Sequence, residues 1–183
     1  KQIPHRLMEA YGLEHVVPFK HEEMDHWRDS THHGLSTRFK STNIILHGGV
    51  DDIWWDTRTE NVIVVDYKSQ AADKQVTTKN YLVPIYRKGY AEQIDFYAYL
   101  LQEMGFDVSD VAYFLVCNAD RQAPGFNGQL TFHETLVPYP WSSDWIEPAV
   151  EEMIRTLNST QVPDSNRSCE NCTYAGQRGD STD

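Results

Sequence analysis

Four stretches of the chain carry apolar residues in alternation or in short runs, and each predicts an extended strand. They are TNIILHGGVDDIW (42–54), NVIVVDYKS (61–69), DVAYFLVCN (110–118) and LTFHETLVPY (130–139). Apolar residues at helical spacing occur instead around PHRLMEAYG (4–12), HEEMDHWRD (21–29), QIDFYAYLLQEM (93–104) and SDWIEPAVEEMIRTL (143–157). Pro148 falls near the start of the last helix, where its missing N–H is tolerated. WDTRTEN, between the first two strands, has the polar, turn-forming character of an antiparallel connection. A long polar loop follows the second strand, and a loose tail is expected after the last helix. This order predicts an α/β fold, a central mixed β-sheet flanked by helices.

The period of two along a strand places Val62, Val64, Asp66 and Lys68 on one face. Asp66 and Lys68 then point the same way, about 7 Å apart at roughly 3.3 Å per residue. Tyr67 points away, but its backbone carbonyl lies between them. Upstream, Gly48-Gly49-Val50-Asp51 supplies a second carboxylate. Two carboxylates and a carbonyl are hard oxygen ligands of the kind Mg²⁺ and Mn²⁺ prefer. A lysine beside such an ion can hold an attacking water and stabilise charge on phosphoryl oxygens. The plainer alternative is a strand that ends in a surface Asp-Tyr-Lys. The two glycines allow a bulge and close approach of a phosphate backbone, or mark a simple bend. Asp52 is the rival ligand if a bulge shifts which residue faces inward.

Gln93 and Tyr97 are four apart in a mostly apolar helix and share one face. A glutamine in such a helix needs hydrogen-bond partners, which a polar active-site floor would supply; otherwise it faces water.

These residues resemble the PD-(D/E)xK nuclease superfamily, specifically its RecB-like branch, which includes CRISPR-associated and phage exonucleases. That branch carries G-x-x-D, a hydrophobic strand ending in (D/E)-x-K, and Q-x-x-x-Y on the next helix. Here these are Gly48–Asp51, Asp66-Tyr67-Lys68 and Gln93–Tyr97, in the same order, within a match from roughly 42 to 104. The resemblance implies a restriction-endonuclease-like core. It also implies metal binding by Asp51, Asp66 and the Tyr67 carbonyl, catalysis by Lys68, and a site shaped by Gln93 and Tyr97. The activity implied is divalent-metal-dependent hydrolysis of DNA phosphodiesters, as an exonuclease. A non-catalytic nucleic-acid or protein interaction module on the same scaffold is the alternative.

Relatives often add a histidine or glutamate from upstream, and Glu22, Glu23, His26, His32, His33 and His47 are all candidates. Several also join one N-terminal and three C-terminal cysteines through an iron–sulfur cluster. This chain has Cys117, Cys169 and Cys172 only. Cys117 follows an apolar run and reads as a core thiol. Cys169 and Cys172 form a C-x-x-C, the possible cluster or zinc ligands, but two thiolates do not complete a four-ligand site. Further ligands would have to come from a segment preceding Lys1. A tail disulfide is the plain alternative.

At 183 residues and 40% hydrophobic content, a single domain is expected. Its parts are a helical region (1–40), the catalytic core (41–140) and a C-terminal helix with the cysteine-containing tail (141–183). No run is long enough to span a membrane and no secretory segment is visible, so the expected location is cytoplasmic. The sequons at Asn158, Asn166 and Asn171 are then chance matches.

The net charge of −11 argues against a nucleic-acid partner, yet its distribution is uneven. Between Tyr67 and Tyr90, Lys68, Lys74, Lys79, Arg87 and Lys88 face only Asp73, a local balance of 5 − 1 = +4. Lys74, Lys79, Arg87 and Lys88 are therefore candidate contacts to DNA, single- or double-stranded, and Tyr81, Tyr86 and Tyr90 could stack on its bases. The same segment could equally be a solvated loop. Action within a larger CRISPR, phage recombination or repair complex fits the same motifs.

Overall fold

The computed structural model describes residues 4–166 and 168–179, and the chain divides into two compact units, 1–143 and 144–183. In the first unit, Val16–Pro18 (β1), Asp52–Asp56 (β4), Asn61–Gln70 (β5), Val111–Ala119 (β6) and Phe132–Pro140 (β7) form one sheet in the order β1–β4–β5–β6–β7. β5 and β6 are parallel and the other neighbours antiparallel, so the sheet is mixed, as the apolar runs predict. A parallel pair needs a long crossover, and Lys88–Glu103 (α3) supplies it. Leu35–Arg38 (β2) and Ile45–Gly48 (β3) make a separate antiparallel pair. Two short helices, Arg6–Ala10 (α1) and Met24–Arg28 (α2), lie where helical spacing predicts them.

Helices flank the sheet because its strands are apolar on both faces. On one face Leu7 and Met8 of α1 join Val16, Trp54, Ile63, Val65, Leu115 and Leu136 in a single buried cluster. Cys117 packs against that cluster, half-buried. On the opposite face lie Val62, Val64 and Asp66 of β5. α3 packs over β5 and over the β2–β3 pair, with Ile94, Ala98, Leu100 and Leu101 fully buried. Each such Leu or Ile contributes about 1.5–3 kcal/mol, which holds α3 against the strand that carries Asp66. α3 starts five residues before the apolar pattern suggests, after a 3-10 turn at Ile85–Arg87. It ends at Gly105 (φ +92°), where Phe106 N–H donates to the Leu101 carbonyl.

Three local outcomes differ from the pattern. The single strand predicted over 42–54 is two strands in two sheets. β3 pairs with β2 as far as Gly48, and β4 starts at Asp52 against β5. Between them Val50 leaves the ladder and donates its N–H to the Trp27 carbonyl, 3.1 Å away. Next, β1 and β2 have no periodic signal, being only three and four residues long. Last, the tail is not loose: Glu170–Gly179 (α5) is helical, and just before it the Asn166 side chain accepts from Ser168 N–H. α5 and Ile146–Asn158 (α4) belong to the second unit. Among the described residues no helix is long and apolar enough to cross a membrane.

Candidate active site

Asp66 sits on the middle strand of the sheet and is fully buried. The β4–β5 register pairs Asp52 with Val65, so one further step sets Asp51 opposite Asp66. Asp51 is exposed to solvent, and its Oδ2 accepts the Tyr67 N–H at 2.7 Å. In an extended strand the N–H and C=O of one residue point to the same side. The Tyr67 carbonyl therefore faces the side of β5 on which Asp51 lies.

Lys68 lies two residues beyond Asp66, as the period of two requires. Its Nζ is 2.6 Å from Asp66 Oδ2, donates to Gln93 Oε1 at 2.9 Å, and lies 4.6 Å from the centre of the Tyr90 ring. Gln93 Nε2 in turn donates to the Tyr97 hydroxyl at 2.8 Å. Helical spacing places Gln93 and Tyr97 on one face, and packing of α3 over β5 aims that face at Lys68. Asp51, Asp66, Lys68, Gln93 and Tyr97 are thus brought together. Gln93 meets partners in the protein rather than water.

The electrostatics of this group are unbalanced. The Lys68 ammonium pairs with Asp66 Oδ2, while the other buried Asp66 oxygen, Oδ1, has no hydrogen-bond partner among the described residues. Burial raises the Asp66 pKa to about 6, Lys68 opposes the shift, and Asp51 adds to it. Burial also raises the Tyr97 pKa; Gln93 opposes this and the charges of Asp66 and Asp51 reinforce it. A buried carboxylate with one oxygen left unpartnered, beside a second carboxylate, has the character of a cation site. Asp51, Asp66 and the Tyr67 carbonyl are three hard oxygens that fit a small divalent ion.

Asp52, the rival ligand, points elsewhere. Its carboxylate accepts from Ile53 N–H (3.0 Å), Trp54 Nε1 (3.2 Å) and Tyr67 Oη (2.6 Å), and pairs with Arg28 Nη2. Arg28 Nε also donates to the Asp51 carbonyl at 3.2 Å, so one guanidinium clasps the Asp51–Asp52 turn. Burial and the neighbouring Asp52 raise the Tyr67 pKa. Arg28 and the Tyr67 side chain have no motif that announces them. The only hint is that one of two adjacent aspartates must find a partner if the strand is buried.

Both glycines sit where the protein itself leaves no room for a side chain. A Cβ on Gly48 would lie 2.8 Å from the Tyr97 ring, and one on Gly49 2.3 Å from Ser30 Cβ. They allow α3 and the segment after α2 to close onto the turn that presents Asp51.

The upstream candidates do not join the pair. His26 and His33 stack on each other at 4.0 Å, His32 contacts Asp29, and His47 Nε2 contacts the His33 carbonyl. His47 lies on β3, before the bend, rather than on a strand shared with Asp51. Glu22 and Glu23 are exposed. Among the described residues no three His, Cys, Asp or Glu side chains gather closely enough to hold a metal. The side-chain carboxylates here are therefore two. Cys169 and Cys172 meet at the start of α5, where the Cys172 N–H and thiol and the Asn171 N–H lower the Cys169 pKa.

In the basic segment, Lys74 and Lys79 are exposed. Lys88 pairs with Glu92 at 3.1 Å. Arg87 is held by Gln70 Oε1 (2.7 Å) and the Tyr81 carbonyl (2.6 Å). Tyr81 is fully buried, so it is not a stacking platform, whereas Tyr86 is 69% exposed.

A family model described as the PD-(D/E)XK nuclease superfamily matches residues 2–177. No curated protein and no solved structure matches the chain.

Proposed function

This chain belongs to the PD-(D/E)XK nuclease superfamily, and we propose that it is a divalent-metal-dependent nuclease that hydrolyses DNA phosphodiesters, an exonuclease of the RecB-like kind. The observation that carries this reading is the Lys68 ammonium, held between the buried Asp66 carboxylate and Gln93, with Asp51 beside them. Nucleases of this superfamily generally use Mg²⁺ or Mn²⁺. Asp51, Asp66 and the Tyr67 carbonyl would hold such an ion, which supplies Lewis-acid activation of water and neutralises charge at the phosphoryl oxygens.

The residues around that position have separable tasks. Asp66 is buried on a rigid central strand, so its oxygens keep their place without solvent. Asp51 lies at the exposed edge, where a substrate can approach. Lys68 orients the attacking water and places positive charge where the phosphoryl oxygens gain negative charge. Gln93 fixes the Lys68 ammonium, and Tyr97 fixes Gln93 through its hydroxyl. Such positioning accounts for much of the rate in phosphoryl chemistry.

The test is incubation of circular and end-labelled linear DNA with Mn²⁺. Nucleotides released from ends while circles stay intact are expected; cut circles would overturn the exonuclease reading, and no Mn²⁺-dependent product would overturn the enzyme. A non-catalytic module is the second reading, favoured by the net charge of −11. Calorimetric titration separates the two, since the nuclease binds Mn²⁺ and loses that binding in Asp66→Asn. The same test with a CRISPR, recombination or repair complex would reveal a requirement for partners.

A further inference from the structure

Two adjoining cavities lead away from Lys68 and are lined by cations with no carboxylate. The nearer, of about 210 Å³, is bounded by Lys68, Gln70, Tyr81, Tyr86, Arg87 and Tyr90 among others. The next, of about 310 Å³, shares Gln70, Ala72, Tyr86 and Arg87 with it and adds Lys74 and Lys79. Ala72, Gln75 and Val76 also border a third cavity of about 620 Å³, whose lining includes Asp73, Asp120 and Glu134, so the carboxylate-free path ends there. In a chain with 27 acidic and 16 basic residues, the first two linings hold Lys68, Lys74, Lys79 and Arg87 and no acid.

The geometry points to a track for single-stranded DNA along 68–88 that leads to Lys68. This rests on the nuclease reading and names its substrate class. Three observations carry it. The first two cavities are at or below the roughly 300 Å³ lower end of small-molecule sites, which leaves no room for a duplex. The exposed Tyr86 ring offers a face that only an unstacked base can cover. Arg87 is preset, with its guanidinium 4.3 Å from the Tyr81 ring centre and 5.4 Å from that of Tyr86. Among the described residues neither Lys74 nor Lys79 is paired with a carboxylate, so both are available to phosphates. Lys88 pairs with Glu92 and lines neither cavity, and is left out of the track.

The experiment is fluorescence anisotropy of labelled oligothymidylate and of a duplex of equal length, in EDTA, so that binding is read without cleavage. The single strand is expected to bind about tenfold more tightly than the duplex. The double variant Lys74→Glu/Lys79→Glu should weaken it at least tenfold and flatten the salt dependence by about 0.7 per lost phosphate contact. Tyr86→Ala should weaken it about tenfold with the salt slope unchanged, the mark of lost stacking. Circular dichroism confirms that these exposed positions leave the fold intact. Equal binding of duplex, or wild-type affinity and salt slope in both variants, overturns the track. Binding without Mn²⁺-dependent cleavage would keep the track and remove the nuclease; cleavage with unaltered binding in the variants would do the reverse.

Discussion

On one side of β5 the Asp52 carboxylate is held by Arg28, Trp54, Tyr67 and the Ile53 N–H, whereas on the other the buried Asp66 carboxylate meets only the Lys68 ammonium, at one oxygen, among the described residues. The two sides carry consecutive aspartates of one turn. Asp52 is saturated and faces the interior; Asp51 is exposed and faces Asp66. A saturated buried carboxylate stabilises a fold, since each bond to a charged group is worth about 1.5–3 kcal/mol. An unsaturated one costs stability, and it persists where a cation or substrate completes it. The contrast separates a structural aspartate from a functional one without reference to motif.

The sharpest way to break this contrast is to exchange the two roles by mutation. Asp51→Asn should lower Mn²⁺-dependent cleavage about a thousandfold, a loss of about 4 kcal/mol, with thermal stability unchanged or raised. Asp52→Asn should retain cleavage within about tenfold while melting lower. Equal losses of activity in both would erase the distinction.

Truncation of Asp52 probes its stabilising share. Asp52→Ala leaves the Arg28 guanidinium and the Tyr67 hydroxyl without this partner, and should cost about 3 kcal/mol in urea denaturation. A loss below about 1 kcal/mol would mean that water replaces the carboxylate freely.

Asp66 should show the opposite sign. Its pKa is about 6 in the folded protein against an ordinary 3.8. Below pH 3.8 both states hold the proton, so the full stability is present. Between that and about pH 6 the unfolded chain ionises first, and metal-free stability falls as pH rises. Asp66→Asn should remove that fall and make the metal-free protein more stable at pH 7 by at most about 3 kcal/mol, less what Lys68 loses. A variant less stable than wild type at pH 7, with an unaltered pH profile, would refute the unsaturated state of Asp66.

The smallest effect is expected at Tyr67. Removing one hydroxyl in Tyr67→Phe should cost about 1 kcal/mol and leave cleavage intact, since the backbone N–H and carbonyl stay in place. Loss of Mn²⁺ affinity in this variant would show that the Asp52 side also sets the position of Asp51.

Local rules were enough for much of this site. A period of two puts Asp66 and Lys68 on one face of β5, and a spacing of four aligns Gln93 with Tyr97, because strand and helix geometry depend only on near neighbours. The mixed sheet with its helices follows equally from apolar runs long enough to be buried on both faces. Long-range packing settled what no local rule reaches. Tyr97 and Ser30 press on Gly48 and Gly49, Trp27 draws Val50 out of the ladder, and the predicted strand 42–54 breaks there. Arg28, distant in the chain, then claims Asp52 and leaves Asp51 to face Asp66. Tyr81 likewise vanishes into the core while Tyr86 stays outside, a choice made by contact with Phe114 rather than by the polar surroundings of either tyrosine.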